Sequence, residues 1–202
     1  MIRYKLFNIF IMLLTVLSIS SCDDDSGFDA IVQSERDDDK IRTHLQFDLE
    51  LKEGIDYQRT ESGIYYQTLK KGEGDTFAND NDSLLVNYTG WVLYENNIFD
   101  SSILRDSPLQ VVLPFGIPTV SENIEEETND DGDVISTDTT YTVSYSSVIE
   151  GWTEALSLMQ EGDSMRFYIP SGLGYGTQGN GSSIPANATL VFDMKLEELY
   201  AR

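Results

Sequence analysis

The clearest hydrophobic pattern in the chain lies in its last third. Apolar residues recur at helical spacing over residues 152–160, which predicts a short amphipathic helix. Over residues 164–169 they alternate with polar residues, which predicts a half-buried strand ending at Pro170. After a loop rich in Gly and Ser, a second strand is predicted over residues 189–199. This stretch therefore predicts a helix packed against antiparallel strands.

The middle of the chain predicts more strands, and the part before it predicts a helix. A strand is expected to begin at Ile64, and a central strand is expected over residues 84–94, which are rich in apolar and aromatic residues. Ile41, Leu45 and Leu49 recur every four residues, so a helix is predicted over about residues 38–50. Asp37–Asp39 would supply the carboxylates that the first helical turn favours. Antiparallel strands crossed by one helix make an α+β domain.

The first 21 residues have the organisation of an export signal. Arg3 and Lys5 precede an apolar run over residues 6–17, and small polar residues follow. Residues 19–22 resemble a bacterial lipobox, which implies cleavage before Cys22 and acylation of that cysteine. The alternative is an uncleaved membrane anchor, but the apolar run is shorter than the ~20 residues of a spanning helix. We therefore expect a lipid anchor on Cys22 in the cell envelope, with the outer membrane or cell surface favoured over the inner membrane.

Residues 22–36 are predicted to form an acidic tether, because they are polar and show no clear period. Asp23–Asp25 directly follows the cysteine. This acidic run resembles the surface-export signal of Bacteroidetes lipoproteins, and it is equally compatible with a solvated linker.

Composition excludes several classes of protein. A net charge of −22 argues against nucleic acid as a partner, because phosphate binding depends on clustered Lys and Arg. Cys22 is the only cysteine, so an intrachain disulfide is impossible. The single His44 cannot form a metal cluster with a second histidine. A length of 202 residues fits one domain with extensions, since domains typically have ~100–200 residues.

Several blocks of sequence resemble one family. They are Val86–Trp91, Phe99–Ser102, Val148–Trp152 and Ile184–Phe192, with Tyr175–Gly176 before the last block. Their content and order resemble the FKBP-type peptidyl-prolyl cis-trans isomerases over about residues 62–202. The resemblance implies an α+β fold in which an antiparallel twisted β-sheet wraps around one short α-helix. Bacterial lipoprotein relatives, including gliding-motility-associated ones of Bacteroidetes, often carry a leading helix. The extension 37–61 would then be a spacer or a dimerisation element.

The resemblance also implies a pocket for a proline ring. Trp152 would be its floor, and hydrogen bonds to the substrate would come from the Ile149 N–H and the Tyr175 hydroxyl. Asp100 would lie at the wall, held by Arg105. The other implied lining residues are the aromatic walls Tyr88, Phe99 and Phe192, the rim residue Val148, the aliphatic wall Leu109 and Val111, and the lid residue Ile184. Taken singly, each aromatic residue fits a core role as well, Asp100 a helix cap and Tyr175 a loop packer.

Residues 114–147 are an insertion relative to that family, and they predict a β-hairpin. Residues 129–132 are a strong turn signal, and residues 137–147 are rich in Thr, Tyr and Val. Five residues have spacings loosely like a calcium loop, but the flanking helices, the first Asp and the last Glu of that pattern are missing. We therefore predict an acidic hairpin and no metal site; the five residues are Glu127, Asn129, Asp131, Gly132 and Asp138.

The expected activity needs no cofactor. Rotation about an X–Pro bond requires lowering a barrier of ~18–20 kcal/mol that comes from amide resonance, without a nucleophile, metal or redox group. The sequence thus predicts an isomerase acting on proline-containing polypeptides that are exported or lie in the envelope. The alternatives are a non-catalytic module that binds proline peptides or a partner within an envelope protein complex, and a purely structural surface protein.

Overall fold

The computed structural model describes residues 25–95, 97–114, 116–128 and 134–201. The predicted signal segment and Cys22 lie outside these residues. Within the described part of the chain, no helix combines the length and the apolar character needed to cross a membrane.

The strands of the described chain form one main antiparallel sheet and one separate hairpin. Those of the main sheet are β1 Gln58–Arg59, β2 Tyr65–Lys70, β3 Ser83–Val92, β4 Ile98–Ser101, β5 Leu109–Val112, β8 Ser164–Ile169 and β9 Leu190–Tyr200, and those of the hairpin are β6 Ile117–Thr128 and β7 Val134–Ser146. The order in the main sheet is β1-β2-β8-β9-β3-β4, with β5 also paired to β3. The central strands β3 and β9 pair from Ser83–Tyr200 to Val92–Leu190. Buried and half-buried side chains alternate along most of β3, as expected for a strand with one face on the core.

One short helix, α2 at Glu150–Ser157, packs on one face of this sheet and forms the main core with it. Its apolar stripe of Trp152, Ala155 and Leu156 is buried with side chains of β3, β8 and β9. Gly151 lets the helix approach the sheet closely, because a Cβ there would lie 2.5 Å from Cγ2 of Ile169. The predicted α+β class, with a sheet wrapped around one short helix, is confirmed.

The opposite face of the sheet is covered by an N-terminal helix, α1 at Asp25–Thr43, which continues as a π-helical turn at His44–Asp48. Ile41 and Leu45 are fully buried there, as their spacing predicts. Leu49 is 40% exposed, because the chain leaves the helix at Asp48. The second core cluster comprises Ile41, Leu45, Tyr57, Tyr65, Leu93, Tyr168 and Val191.

The predicted tether over residues 22–36 is wrong in its described part, because residues 25–36 belong to α1. The predicted helix start near Asp38 is wrong for the same reason. Asp37 lies well inside the helix rather than in its first turn. Its carboxylate accepts hydrogen bonds from the backbone N–H and hydroxyl of Ser171, at 2.8 and 2.5 Å, and from the hydroxyl of Thr189 at 3.0 Å. Such tertiary contacts stabilise a helix whose sequence has little periodicity of its own.

The insertion forms the predicted hairpin of β6 and β7. These two strands form a separate two-stranded sheet, joined at its base to β5 through hydrogen bonds between Val112 and Gly116. The tip, residues 129–133, lies outside the described residues, so part of the calcium-like spacing does too. Elsewhere in the described chain, no three His, Cys, Asp or Glu side chains converge as a metal site requires.

Candidate active site

A small cavity opens where α2, β3, β9 and the base of the hairpin meet. Its volume is about 170 Å³. Drug-sized ligands usually occupy pockets of roughly 300–1,000 Å³, so this cavity suits the ring of a single residue. The lining residues are Tyr88, Phe99, Asp100, Leu109, Ile117, Ser147, Val148, Ile149, Trp152, Tyr175 and Phe192.

Four aromatic rings shape the apolar part of the cavity. The Trp152 ring meets Tyr88 edge to face at a centroid distance of 4.8 Å and meets Phe192 in the same way at 5.3 Å. Phe99 in turn lies edge to face with Phe192 at 5.6 Å. Edge-to-face contacts of this kind fix ring orientation as well as burying area. The rings therefore form rigid walls rather than a collapsible apolar patch.

Gly90 allows two of these rings to pack against the sheet. A Cβ at this position would lie 2.6 Å from Cε1 of Phe192 and 2.8 Å from Cζ of Phe99. In the sheet, Gly90 is opposite Phe192 on β9 and opposite Asp100 on β4. Any side chain at Gly90 would push the rings toward the cavity. The resemblance to the family supplied the block that contains Gly90, but sequence reasoning did not assign it this packing role.

Tyr88, Asp100 and Arg105 form a closed hydrogen-bonded triad at one wall. The Tyr88 hydroxyl donates to Oδ2 of Asp100 at 2.5 Å and accepts from Nη2 of Arg105 at 2.9 Å. Arg105 also forms an ion pair with the other carboxylate oxygen, and its guanidinium lies over the Tyr88 ring. The expected pairing of Asp100 with Arg105 is thus confirmed. Its link to the Tyr88 hydroxyl was not predicted.

This triad fixes the protonation states at the wall. Burial, followed by the hydrogen bond to the Asp100 carboxylate, raises the pKa of Tyr88 to about 12. Burial alone would raise the pKa of Asp100, but hydrogen bonds from Tyr88 and Arg105, with the Arg105 charge, outweigh it and lower that pKa. At neutral pH the wall therefore presents a neutral phenol and an ionised carboxylate whose charge is already paired.

Two hydrogen-bond donors at the cavity remain available for a ligand. Among the described residues, neither the backbone N–H of Ile149 nor the hydroxyl of Tyr175 has an acceptor. Ile149 has extended backbone angles as the N-cap of α2. Tyr175 follows the short 3-10 helix Ser171–Leu173 and is half-buried. Both line the cavity, so its apolar interior is combined with two separate donors.

The predicted lining residues Val111 and Ile184 do not reach the cavity. Val111 shares a face of β5 with Leu109, but it pairs with Leu84, two positions along β3 from the Leu109 partner Val86. It therefore lies deeper in the core and is fully buried, whereas Leu109 lines the cavity. Ile184 is 3% exposed in the same core cluster, held by backbone hydrogen bonds to Asn180. It packs under the loop instead of closing a lid.

Two lining residues, Ile117 and Ser147, were missed. Both lie at the ends of the inserted hairpin, where β6 begins and just after β7 ends. Ser147 directly precedes Val148 in one of the family-like blocks, which was the one available signal for it. Nothing in the sequence marks Ile117, because its position depends on how the hairpin base folds onto β5.

A second, larger cavity of about 860 Å³ lies between α1 and the segment 170–177. It is lined by polar, charged and aliphatic side chains and by glycine backbone, including Gln33, Arg36 and Gly172. It contains none of the aromatic rings described above. Size alone therefore does not identify the proline-sized site; the aromatic lining does.

Comparison with known proteins agrees with this geometry. Residues 119–197 match the family of FKBP-type peptidyl-prolyl cis-trans isomerases. The chain is 33% identical over 148 residues to the FKBP-type 22 kDa isomerase of Escherichia coli. This match covers 73% of this chain and 54% of that protein. It is 31% identical over 138 residues to an FK506-binding protein of Neisseria meningitidis serogroup B, covering 68% of this chain and 97% of that protein.

A solved structure supports the same assignment. The crystal structure of FkpA from Escherichia coli aligns with a TM-score of 0.56 and 26% identity, over 86% of this chain and 62% of that one. The chain spans about half the length of several relatives, including 52% of an isomerase from Haemophilus influenzae. Nearly the whole length of the Neisseria protein is nevertheless matched. On these grounds the chain belongs to the FKBP-type peptidyl-prolyl cis-trans isomerase family.

Proposed function

We propose that this protein accelerates cis-trans isomerisation of X–Pro bonds in polypeptides. The observation that carries the proposal is the small cavity floored by Trp152 and walled by Tyr88, Phe99 and Phe192. The ring of one proline fits its volume. Uncatalysed isomerisation takes tens to hundreds of seconds, which is slow enough to limit folding.

The cavity favours the twisted transition state over the planar ground state. As the amide twists, its resonance is lost, its charge separation decreases and the nitrogen regains a lone pair. An apolar cavity stabilises this less polar form relative to the planar amide, and fixed protein groups replace the water that is expelled. Trp152 and Phe192 supply the apolar contact, while no proton has to be transferred.

The polar groups at the rim position the polypeptide on either side of the rotating bond. The Ile149 N–H and the Tyr175 hydroxyl each donate to a substrate carbonyl, so one side of the bond is held while the prolyl side turns. The triad of Tyr88, Asp100 and Arg105 keeps the wall in place, because its members satisfy one another rather than the substrate.

A protease-coupled or NMR exchange assay with a short proline peptide tests the proposal. We expect Trp152→Ala to lower kcat/KM at least ~tenfold, because the floor of the cavity is lost. Trp91→Phe is the matched control, since the second tryptophan packs on the opposite core and lies under Arg166. Circular dichroism establishes that both variants fold. If the wild type binds the peptide but accelerates isomerisation no more than Trp152→Ala and no more than the uncatalysed reaction, the protein is instead a non-catalytic binding module.

We further propose that the mature chain is a lipoprotein of the cell envelope, acting on exported polypeptides. The proposal is supported by the charged, apolar and lipobox-like regions that precede Cys22, and by the acidic run after it. Acyl chains anchor a protein through ~0.8 kcal/mol for each buried methylene. Cys22→Ser is expected to abolish incorporation of labelled palmitate and to release the chain from membranes. Labelling that persists in this variant would contradict the proposal.

A further inference from the structure

One face of the inserted hairpin is apolar and uncovered. Residues opposite each other in an antiparallel pair share a face, and the register places Val120 opposite Val143 and Glu122 opposite Tyr141. Ile124 lies on the same face, two residues after Glu122. The exposed fractions of Val120, Val143, Tyr141 and Ile124 are 63%, 50%, 67% and 57%. We call this surface, with Pro118, the hairpin face.

The hairpin also carries negative charge that nothing on it neutralises. Residues 116–149 contain no Lys, Arg or His. On the face opposite the hairpin face, Glu125 lies directly across from Asp138. Like charges in that arrangement destabilise a strand pair, so the repulsion between these two carboxylates lowers the stability of the hairpin. The acidic residues of the described strands are Glu122, Glu125, Glu126, Glu127 and Asp138.

The hairpin projects from the rim of the proline cavity. Ile117 at its first strand and Ser147 just after its second both line that cavity. Twelve residues in β6 span about 40 Å at ~3.3 Å per residue, so the hairpin can contact a long stretch of extended chain. Ile117 lies on the face opposite Val120. A chain lying on the hairpin face therefore has to cross one hairpin edge, roughly three residues, before its proline reaches the cavity.

We propose that the hairpin face binds an extended, positively charged and apolar segment of the polypeptide whose X–Pro bond occupies the cavity. For its catalytic consequence the inference rests on the proposed function, whereas the binding itself does not. Lys or Arg side chains of the segment would lie beside Glu122 and Glu126, and its apolar side chains on Val120, Val143 and Tyr141. Side-chain contacts with both strands of the hairpin would hold the segment on this face.

The negative charge of the hairpin favours a cationic segment over two other ligands, a second copy of the chain and an anionic membrane. A second copy of the chain would bring an equally acidic hairpin against the first, and the whole chain has a net charge of −22. An anionic membrane surface would repel the same carboxylates. A cationic, apolar extended chain is the one of these three that complements both the exposed apolar side chains and the negative charge.

The experiment uses the full chain purified in detergent and a labelled 12-residue peptide of alternating Lys and Leu that lacks proline. We expect fluorescence anisotropy to show saturable binding that weakens as salt is raised, because the charges involved are exposed. The triple variant Val120→Thr, Ile124→Thr and Val143→Thr keeps β-branched residues in the strands, so the hairpin can still form. It is expected to weaken binding about tenfold, as removal of central apolar side chains from a binding surface does.

A second experiment links the surface to the cavity. A short proline peptide and the same peptide extended by the 12-residue segment through a three-residue spacer are compared by kcat/KM. The extension is expected to raise kcat/KM about tenfold through effective concentration in the wild type and not in the triple variant. Both proteins should handle the short peptide equally. The matched control carries Ser121→Thr, Thr142→Ser and Ser144→Thr on the opposite face and should behave as the wild type.

The outcomes separate this inference from the proposed function. Binding of the Lys-Leu peptide that is equal in the wild type and the triple variant overturns the inference, as does equal binding of a Glu-Leu peptide. Dimerisation or binding to anionic vesicles that the triple variant abolishes overturns it in favour of those occupants. Absence of activity on the short peptide in the wild type contradicts only the proposed function, since the anisotropy measurement still tests the hairpin face.

Discussion

The N-terminal helix and the inserted hairpin both extend the domain formed by the main sheet and α2. The apolar side chains of the helix are buried, whereas those of the hairpin are exposed. Helix α1 buries Ile41 completely and, just beyond its end, Leu45, in a cluster on the outer face of the sheet. The hairpin leaves Val120 and Tyr141 more than 60% exposed. Apolar side chains buried within the chain stabilise its own fold. Apolar side chains held outward on ordered strands are available to another molecule.

The carboxylates of the two regions differ in the same way. Asp37 of α1 is fully buried and accepts hydrogen bonds from Ser171 and Thr189. On the hairpin, Glu125 faces another carboxylate. Ser171 begins the segment that carries Tyr175, and Thr189 directly precedes β9, which carries Phe192. Helix α1 therefore supports two elements of the cavity from behind, whereas the hairpin extends the cavity outward.

The largest effect is expected from Asp37→Ala. The substitution leaves the Ser171 N–H and the two hydroxyls without their buried acceptor, at ~1–3 kcal/mol for each unsatisfied group. We expect a loss of about 3 kcal/mol in the free energy of unfolding, measured by urea denaturation. Asp39→Ala is the matched control, because Asp39 lies on the same helix with its side chain 70% exposed and forms a surface ion pair with Arg42.

The control should change stability by less than about 0.5 kcal/mol, as exposed positions usually do. Equal, small effects of the two substitutions would mean that α1 is not docked through Asp37. The helix α1 would then be no more firmly attached to the domain than the hairpin is.

A second buried carboxylate, that of Asp163, makes the stability of the fold depend on pH. Asp163 accepts hydrogen bonds from the backbone N–H groups of Gly72 and Gln160 and from Lys71. Burial opposes ionisation, but these bonds outweigh it and lower the pKa of Asp163. A lowered folded-state pKa contributes stability that is present above the unfolded value of about 4 and is lost as pH falls further.

Asp163→Asn should therefore cost about 2 kcal/mol near neutral pH and lose less stability than the wild type between about pH 5 and pH 2. Urea midpoints across that range measure the difference. Parallel curves for the wild type and the variant would show that Asp163 does not titrate differently in the two states.

Excision of the hairpin tests its independence from the core. Residues 118–145 are replaced by Asn-Gly, a two-residue turn suited to join the paired residues Ile117 and Ser146. The free energy of unfolding is expected to change by less than about 1 kcal/mol. The strand pair that is removed packs on little of the core, and closing the shorter loop costs less conformational entropy, so the two effects offset each other. Calorimetry measures the change. A loss comparable to that of Asp37→Ala would show that the hairpin stabilises the domain.

The sequence predicted the fold and most of the cavity because both depend on local signals. Helical and strand periodicity placed α2 and β8, and the family-like blocks placed Trp152 and the aromatic walls. The turn signal at 129–132 and the Thr-rich run after it predicted the hairpin. The role of its two faces could not follow from these signals, because it depends on which strand residues lie opposite each other.

The errors have a common physical cause, which is that burial is decided by contacts distant in the chain. Ile184 is an apolar residue beside the site in sequence, but the loop folds it into the core. Val111 lies on the same face of β5 as Leu109, but its pairing with Leu84 places it in the core and away from the cavity. Residues 25–36 show little period, and the helix that they begin is held on the fold by hydrogen bonds from Ser171 and Thr189 to Asp37. No local pattern contains that information.

The smallest effect is expected from Asp138→Lys, which reverses one charge in the like-charged pair with Glu125. An opposite-charge cross-strand pair stabilises a hairpin by roughly 0.2–1 kcal/mol, so amide hydrogen exchange in β6 and β7 should slow. The same substitution should weaken binding of the Lys-Leu peptide only slightly, because Asp138 lies on the face opposite the hairpin face. Thr140→Lys, a neighbour on the same face, adds the same charge without removing the like-charged pair. Faster exchange in Asp138→Lys than in the wild type would mean that the two carboxylates do not oppose each other.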